Sequence, residues 1–248
     1  MPPLNKPYAR IFRPSVRHFY YGEYIADSIY ADDRISLCRS FYLILDDLLK
    51  LFEYIEPADE NLSTYSHRSY ELLLRASTEI ETNFKRILQA NNYQRTGNRN
   101  MSDYYKVNVA TKLHEYRVEW HNWRNATKII VPFSEWVSQT YQPLTWYQSY
   151  NNVKHDRHQN FNQASLENVI RAVSALFVLL FSQFGKHIFN RAQATTIDYI
   201  SDESIGLITS VDAQLTIYCP ISWSDNEKYD FDWNTIKTQP NALQLFPF

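Results

Sequence analysis

Glycine is the first scarcity. The 248 residues hold only 4: Gly22, Gly97, Gly185 and Gly206. No two lie close enough for a G-x-G-x-x-G turn or a Walker loop, so dinucleotide-binding and P-loop folds are excluded. Cysteine is nearly absent too. Cys38 and Cys219 build no disulfide framework, which suits a reducing compartment and predicts a cytoplasmic protein. Long apolar runs are lacking: the longest, 175–181, is far short of the roughly 20 residues that span a bilayer, and no membrane partner is expected. The first residues carry no apolar stretch of the kind a secretory leader needs. Charge of one sign is lacking as well. With 25 Lys and Arg against 27 Asp and Glu the net charge is -2, so no uniform basic coat exists for nucleic acid.

What is present is aromatic. Phe, Trp and Tyr make 16% of the chain, with 19 Tyr, and 44% of residues are hydrophobic, enough for a sizeable core. Charge is unevenly placed. From Thr196 on there are eight acids and two bases, a net of −6 against +4 for the rest. Residues 1–33 read as a Pro-rich arm with Lys6, Arg10, Arg13 and Arg17 among Tyr8, Phe12, Phe19 and Tyr20. Such an arm would either track a phosphate backbone or, the preferred reading, wrap the acidic C-terminal part.

Periodicity predicts a mainly α protein. Cys38, Phe41, Leu45, Leu48, Phe52 and Ile55 recur at helical steps until Pro57. A second helix fits 66–92, with Leu73, Ile80, Phe84 and Ile87 on one face. A third fits 102–117, capped by Ser102 or Asp103 and striped by Tyr105, Val109, Leu113 and Tyr116. Val118 and Trp120 then alternate with polar neighbours ahead of Lys128-Ile129-Ile130, a small hairpin inserted in the helical frame. A short aromatic helix follows Pro143. The clearest helix spans 165–189, capped by Ser165 and striped from Leu166 to Ile188. Leu215, Ile217, Cys219 and Ile221 alternate as a strand does, and so does the 229–233 segment. Three units result: an arm at 1–33, a helical bundle at 34–192 and an acidic, strand-rich appendage at 193–248. The C-terminal Leu245-Phe246-Pro247-Phe248 is apolar enough to dock on a neighbour or on the body itself.

Reactive groups concentrate in 146–158. On a helix, Asn151, Asn152, His155 and His158 would form one stripe of amides and imidazoles. Tyr147, Tyr150, Lys154 and Arg157, with Phe161 further along, would form a stripe of rings and fixed cations. Imidazoles move protons near neutral pH, cations stabilise a phosphorane-like transition state, and tyrosines stack on unpaired bases. The chemistry therefore points to single-stranded RNA or another phosphate ester. The plain alternative is a solvated surface. His155 and His158 find no third ligand, so no metal site is expected, and no cofactor.

The same segment resembles the HEPN superfamily of all-α nucleotide-binding bundles, whose signature has an Arg, often followed by a polar residue, with four to six residues between the Arg and a His. A long apolar helix follows. Here Tyr150-Asn151-Asn152-Val153-Lys154-His155 is similar to that block, with His155 at the family His and Asn151 at the polar position. Positions 148, 149 and 150 hold Gln, Ser and Tyr, so the Arg is missing. The resemblance implies an HEPN-like bundle over 34–190, a homodimer, and either of two activities. One is metal-independent RNA cleavage, with His155 as base or acid, His158 as second shuttle, Asn152 on the phosphate and Lys154 or Arg157 in place of the Arg. The other, which the missing Arg favours, is binding of RNA or a nucleotide as a regulatory or effector part of a defence or toxin–antitoxin system. A purely structural interaction module, meeting a protein partner through the C-terminal appendage, ranks third.

Overall fold

The computed structural model describes residues 2–17, 22–185, 200–202, 206–211 and 214–248. Its helices are α1 (Glu23–Ala26), α2 (Arg34–Phe52), α3 (His67–Ala90), α4 (Met101–Thr111), α5 (Thr145–His155), α6 (Arg157–Asn160), α7 (Leu166–Phe184) and α8 (Trp233–Ile236). Its strands are β1 (Arg117–Trp120), β2 (Lys128–Ile130), β3 (Ile200–Asp202), β4 (Gly206–Val211) and β5 (Leu215–Tyr218). The protein is mainly α, as the periodicity predicts.

Helix α7 is the axis of the core. Ser165 caps it by accepting from Asn168 N, and α2, α3 and α5 pack around it. Its length and apolar content would suffice to cross a membrane, yet 83% of that apolar window is buried inside the fold. Each such Leu, Val or Phe contributes roughly 1.5–3 kcal/mol by leaving water. Phe41 of α2 stacks on Phe177 at 5.4 Å, and Phe84 of α3 stacks on Tyr104 of α4 at 5.0 Å. Polar atoms on the axis are partnered: Trp120 Nε1 donates to Ser174 Oγ, and Gln183 Nε2 donates to Asn83 Oδ1. Gly185 ends the helix at φ +51, and a Cβ there would meet the Phe12 ring at 3.1 Å. Residues beyond 185 in the predicted helix, Ile188 among them, lie outside the described residues, as does the 192/193 boundary.

Two predicted helices need correction. The third ends at Thr111 because Lys112 turns left-handed, φ 55, and a 3-10 turn over Leu113–Glu115 follows. Its cap is Asn100, with Asp103 closing the capping box. The buried side carries Tyr104, Val107 and Ala110, whereas Val109, placed on the predicted stripe, is 64% exposed. The first helix stops at Phe52, ahead of Pro57.

The predicted hairpin forms, with Val118 opposite Ile130. It is not an isolated insertion. β1 also pairs antiparallel with β5, Val118 opposite Ile217, so hairpin and C-terminal strands make one five-stranded sheet in the order β2-β1-β5-β4-β3. The 229–233 segment is no ladder strand. Tyr229 instead bridges Leu4 and Ser15 of the arm, and Trp233 opens α8. The arm does wrap the C-terminal part. Leu4 N donates to Lys228 O, Tyr229 N to Pro14 O and Ala9 N to Gln244 O. Its cations are taken up on the way: Arg10 by Asp33, Arg17 by Asp230 and Lys6 by Asn241 O. The C-terminal apolar residues dock on the body, where Phe246 meets the Tyr8 ring at 5.2 Å and its N–H donates to Asn91 Oδ1.

Both cysteines are buried, and burial pushes the Cys38 thiol up to about 12. The thiolate is the reactive form. Cys38 therefore stays unlabelled by Ellman's reagent at pH 8 until denaturant is added; fast labelling of the native protein would contradict this core placement.

Candidate nucleic-acid interface

The sequence-predicted site residues lie on α5 and α6. Helix α5 starts after Pro143, where Glu135 Oε1 accepts from both the N–H and the hydroxyl of Thr145. It buries Trp146, Tyr147, Tyr150 and Val153. The two tyrosines intended as stacking platforms are thus core residues, 7% and 2% exposed. Their hydroxyls converge on Glu81 Oε1 at 2.9 and 3.1 Å, and Lys85 Nζ stands 3.6 Å from Glu81 Oε2. Burial, then the Glu81 charge, holds the Tyr147 phenol far above its ordinary range. Neither ring is open to a base.

The imidazole–amide stripe also divides. Asp156 leaves helical geometry at φ −143, ψ 80, and its carboxylate caps α6 by accepting from Gln159 N. His155 and His158 therefore belong to different helices, and three-residue spacing no longer puts them on one face. Both are exposed. Asn152 does not point to a phosphate site; its amide donates to Gln163 Oε1 at 3.0 Å. Asn151 is half-buried at a separate cavity of about 420 Å³ beside Glu81, Arg99 and Tyr141. The two cations part company as well. Lys154 Nζ donates to Tyr150 OH at 3.0 Å, the main reason its pKa rises, while Arg157 lies over the Tyr70 ring at 5.4 Å. Of the five residues assigned to catalysis, Asn152, Lys154 and Arg157 thus each engage a different neighbour, Gln163, Tyr150 and Tyr70.

The structure assembles a different aromatic–basic face nearby. Phe161, in the 3-10 turn after α6, meets Tyr65 at 5.4 Å, His67 at 4.8 Å and Tyr70 at 6.3 Å. Tyr65 is 49% exposed, and His67, Arg68, Arg157 and His158 are also exposed. Local sequence explains the arrangement. Ser66 caps α3 by accepting from Ser69 N, which turns Tyr65 outward, and an antiparallel bridge from Tyr65 to Ser165 ties this corner to the start of α7. Arg157 has no carboxylate partner among the described residues, whereas Arg68 is paired with Glu71 at 2.9 Å on the surface. The arrangement offers ring faces for bases and a fixed cation for a phosphate. Of this set the sequence pattern points to Phe161, Arg157 and His158; the signal it leaves unread is Tyr65-Ser66-His67-Arg68. Among the described residues no cluster of metal-ligating side chains exists. The chain matches no known protein-family model, no curated protein and no solved structure.

Proposed function

We propose that this protein binds single-stranded RNA through the face formed by Tyr65, His67, Tyr70, Phe161 and Arg157, as an HEPN-like binding module rather than a nuclease. The carrying observation is the Phe161 ring held among the exposed rings of Tyr65 and His67 and the half-buried ring of Tyr70, with Arg157 over the last. Stacking and a phosphate contact are the two elements of sequence-tolerant single-strand binding. The order of a short helix bearing His155 followed by the apolar α7 supports the HEPN-like reading. At 150, one of the positions where that family's Arg would fall, Tyr150 is spent on a core contact with Glu81, which supports binding over cleavage. A regulatory role in a defence or toxin–antitoxin system, a homodimer and a protein partner belong to the same proposal.

The test is fluorescence anisotropy with a labelled single-stranded RNA in EDTA, at several salt concentrations, with a gel to follow the RNA. Binding that weakens steeply with salt, on RNA that stays intact, is expected. Absence of binding at low salt retires the proposal. Cleavage in EDTA that His155→Ala abolishes replaces it with a metal-independent endoribonuclease using Lys154 or Arg157.

A further inference from the structure

Beside the aromatic face lies a cavity of about 660 Å³, and Tyr65 belongs to both. Its wall carries the carboxylates of Asp59 and Glu167, the amides of Asn162 and Asn168, and the Ser63 hydroxyl, with no Lys or Arg. The cations that pair these acids approach from outside. Lys128 Nζ and Trp123 Nε1 both donate to Asp59 Oδ1, and Arg171 donates twice to Glu167 Oε1. The second oxygen of each carboxylate has no protein donor among the described residues. The start of α7 also borders the cavity, yet it offers nothing to an anion. Leu166 N donates to Thr64 O, Glu167 N to Leu62 O and Asn168 N to Ser165 Oγ. The wall thus offers carboxylate and amide acceptors but no cation of its own, which suits a neutral group rich in N–H donors better than a phosphate.

Resting on the RNA-binding reading, we infer that this cavity is a base-selecting subsite that prefers guanine and disfavours uracil. A base stacked on the exposed Tyr65 ring presents its edge to the cavity. Guanine is the one base with an imino and an amino donor side by side, and free carboxylate oxygens accept from both. Adenine and cytosine offer a single amino group next to an acceptor nitrogen. Uracil offers one N–H between two carbonyl oxygens, and the carboxylates oppose both. The order expected is guanine first, adenine and cytosine between, uracil last.

The experiment compares two labelled RNA heptamers, one all uridine and one with a single central guanosine, on wild type and on Glu167→Gln. Glu167 is a surface residue of the first turn of α7, so the variant folds; a melting curve confirms this. The guanosine heptamer binds wild type about tenfold more tightly. Glu167→Gln erases most of that difference without weakening the all-uridine heptamer. Equal affinity for both heptamers on wild type, or a preference that Glu167→Gln and Asp59→Asn both leave intact, overturns the subsite while the RNA-binding face stands. No binding of either heptamer overturns the face, and the subsite falls with it.

Discussion

Phe161→Ala weakens single-stranded RNA binding by about 5- to 150-fold, because one base–aromatic stack contributes about 1–3 kcal/mol. The ring is half-exposed on a 3-10 turn, not in the core around α7, so the melting temperature moves by only a few degrees. Phe161→Leu separates bulk from stacking: it fills the space between Tyr65 and Tyr70 but offers no π-face, and it binds nearly as weakly as the alanine variant. Tyr147→Phe is the opposite control. It removes a hydroxyl from Glu81 in the interior and leaves RNA affinity unchanged. Arg157→Ala reduces the salt slope by about 0.7, the value for one single-strand phosphate contact. Equilibrium titrations of these four variants decide the matter. If Phe161→Ala binds within about twofold of wild type while Tyr147→Phe loses affinity, the site is the buried tyrosine pair and not the exposed face.

That contrast shows where the sequence was readable. Helices α2, α3 and α7 were legible because their apolar residues recur at three and four, and a Ser stands before α3 and α7 to cap them. The same rule applied to α5 picks out Trp146, Tyr150 and Val153 as its buried stripe. Reading the tyrosines as stacking platforms set the period aside because a phenol is amphipathic and the flanking residues are polar. Helix α4 illustrates a different limit. Lys112 adopts φ 55 without being Gly or Asn, and its side chain explains how: Nζ donates to Ser222 and Glu227 and lies 4.4 Å from the centre of the Trp223 ring. These partners are more than a hundred residues away, so no local pattern announces the stop. The interface was illegible for the same reason. Tyr65 and Phe161 are ninety-six positions apart and meet only because α3 and α7 pack side by side, which brings the starts of both helices to one corner.

The arm presents the last case, in which a residue with an apparent nucleic-acid role is structural. Arg13→Ala lowers stability by about 3 kcal/mol, a fall in melting temperature of about 6–12 °C for a chain of this size. Arg13 is 5% exposed. Its Nε and Nη2 both donate to Ala110 O, one of the carbonyls that the end of α4 leaves without an intrahelical partner, and Nη1 donates to Glu227 O. The guanidinium also lies between the rings of Tyr8, Trp223 and Phe246, at 5.0, 5.1 and 5.6 Å. One side chain therefore ties the arm to a helix end and to two places in the C-terminal segment. The cation offsets the negative end of α4, and the flat fork spans acceptors that a point charge cannot reach together. Arg13→Lys consequently restores less than half of the loss. Because the arm and the C-terminal segment hydrogen-bond along Leu4, Pro7, Ala9 and Pro14, releasing Arg13 loosens both, and amide exchange accelerates at Ala9 and Gln244 before it does at α7. A melting temperature within about 1 °C of wild type, with RNA affinity reduced instead, would return the arm to the phosphate-tracking role that its charges first suggest.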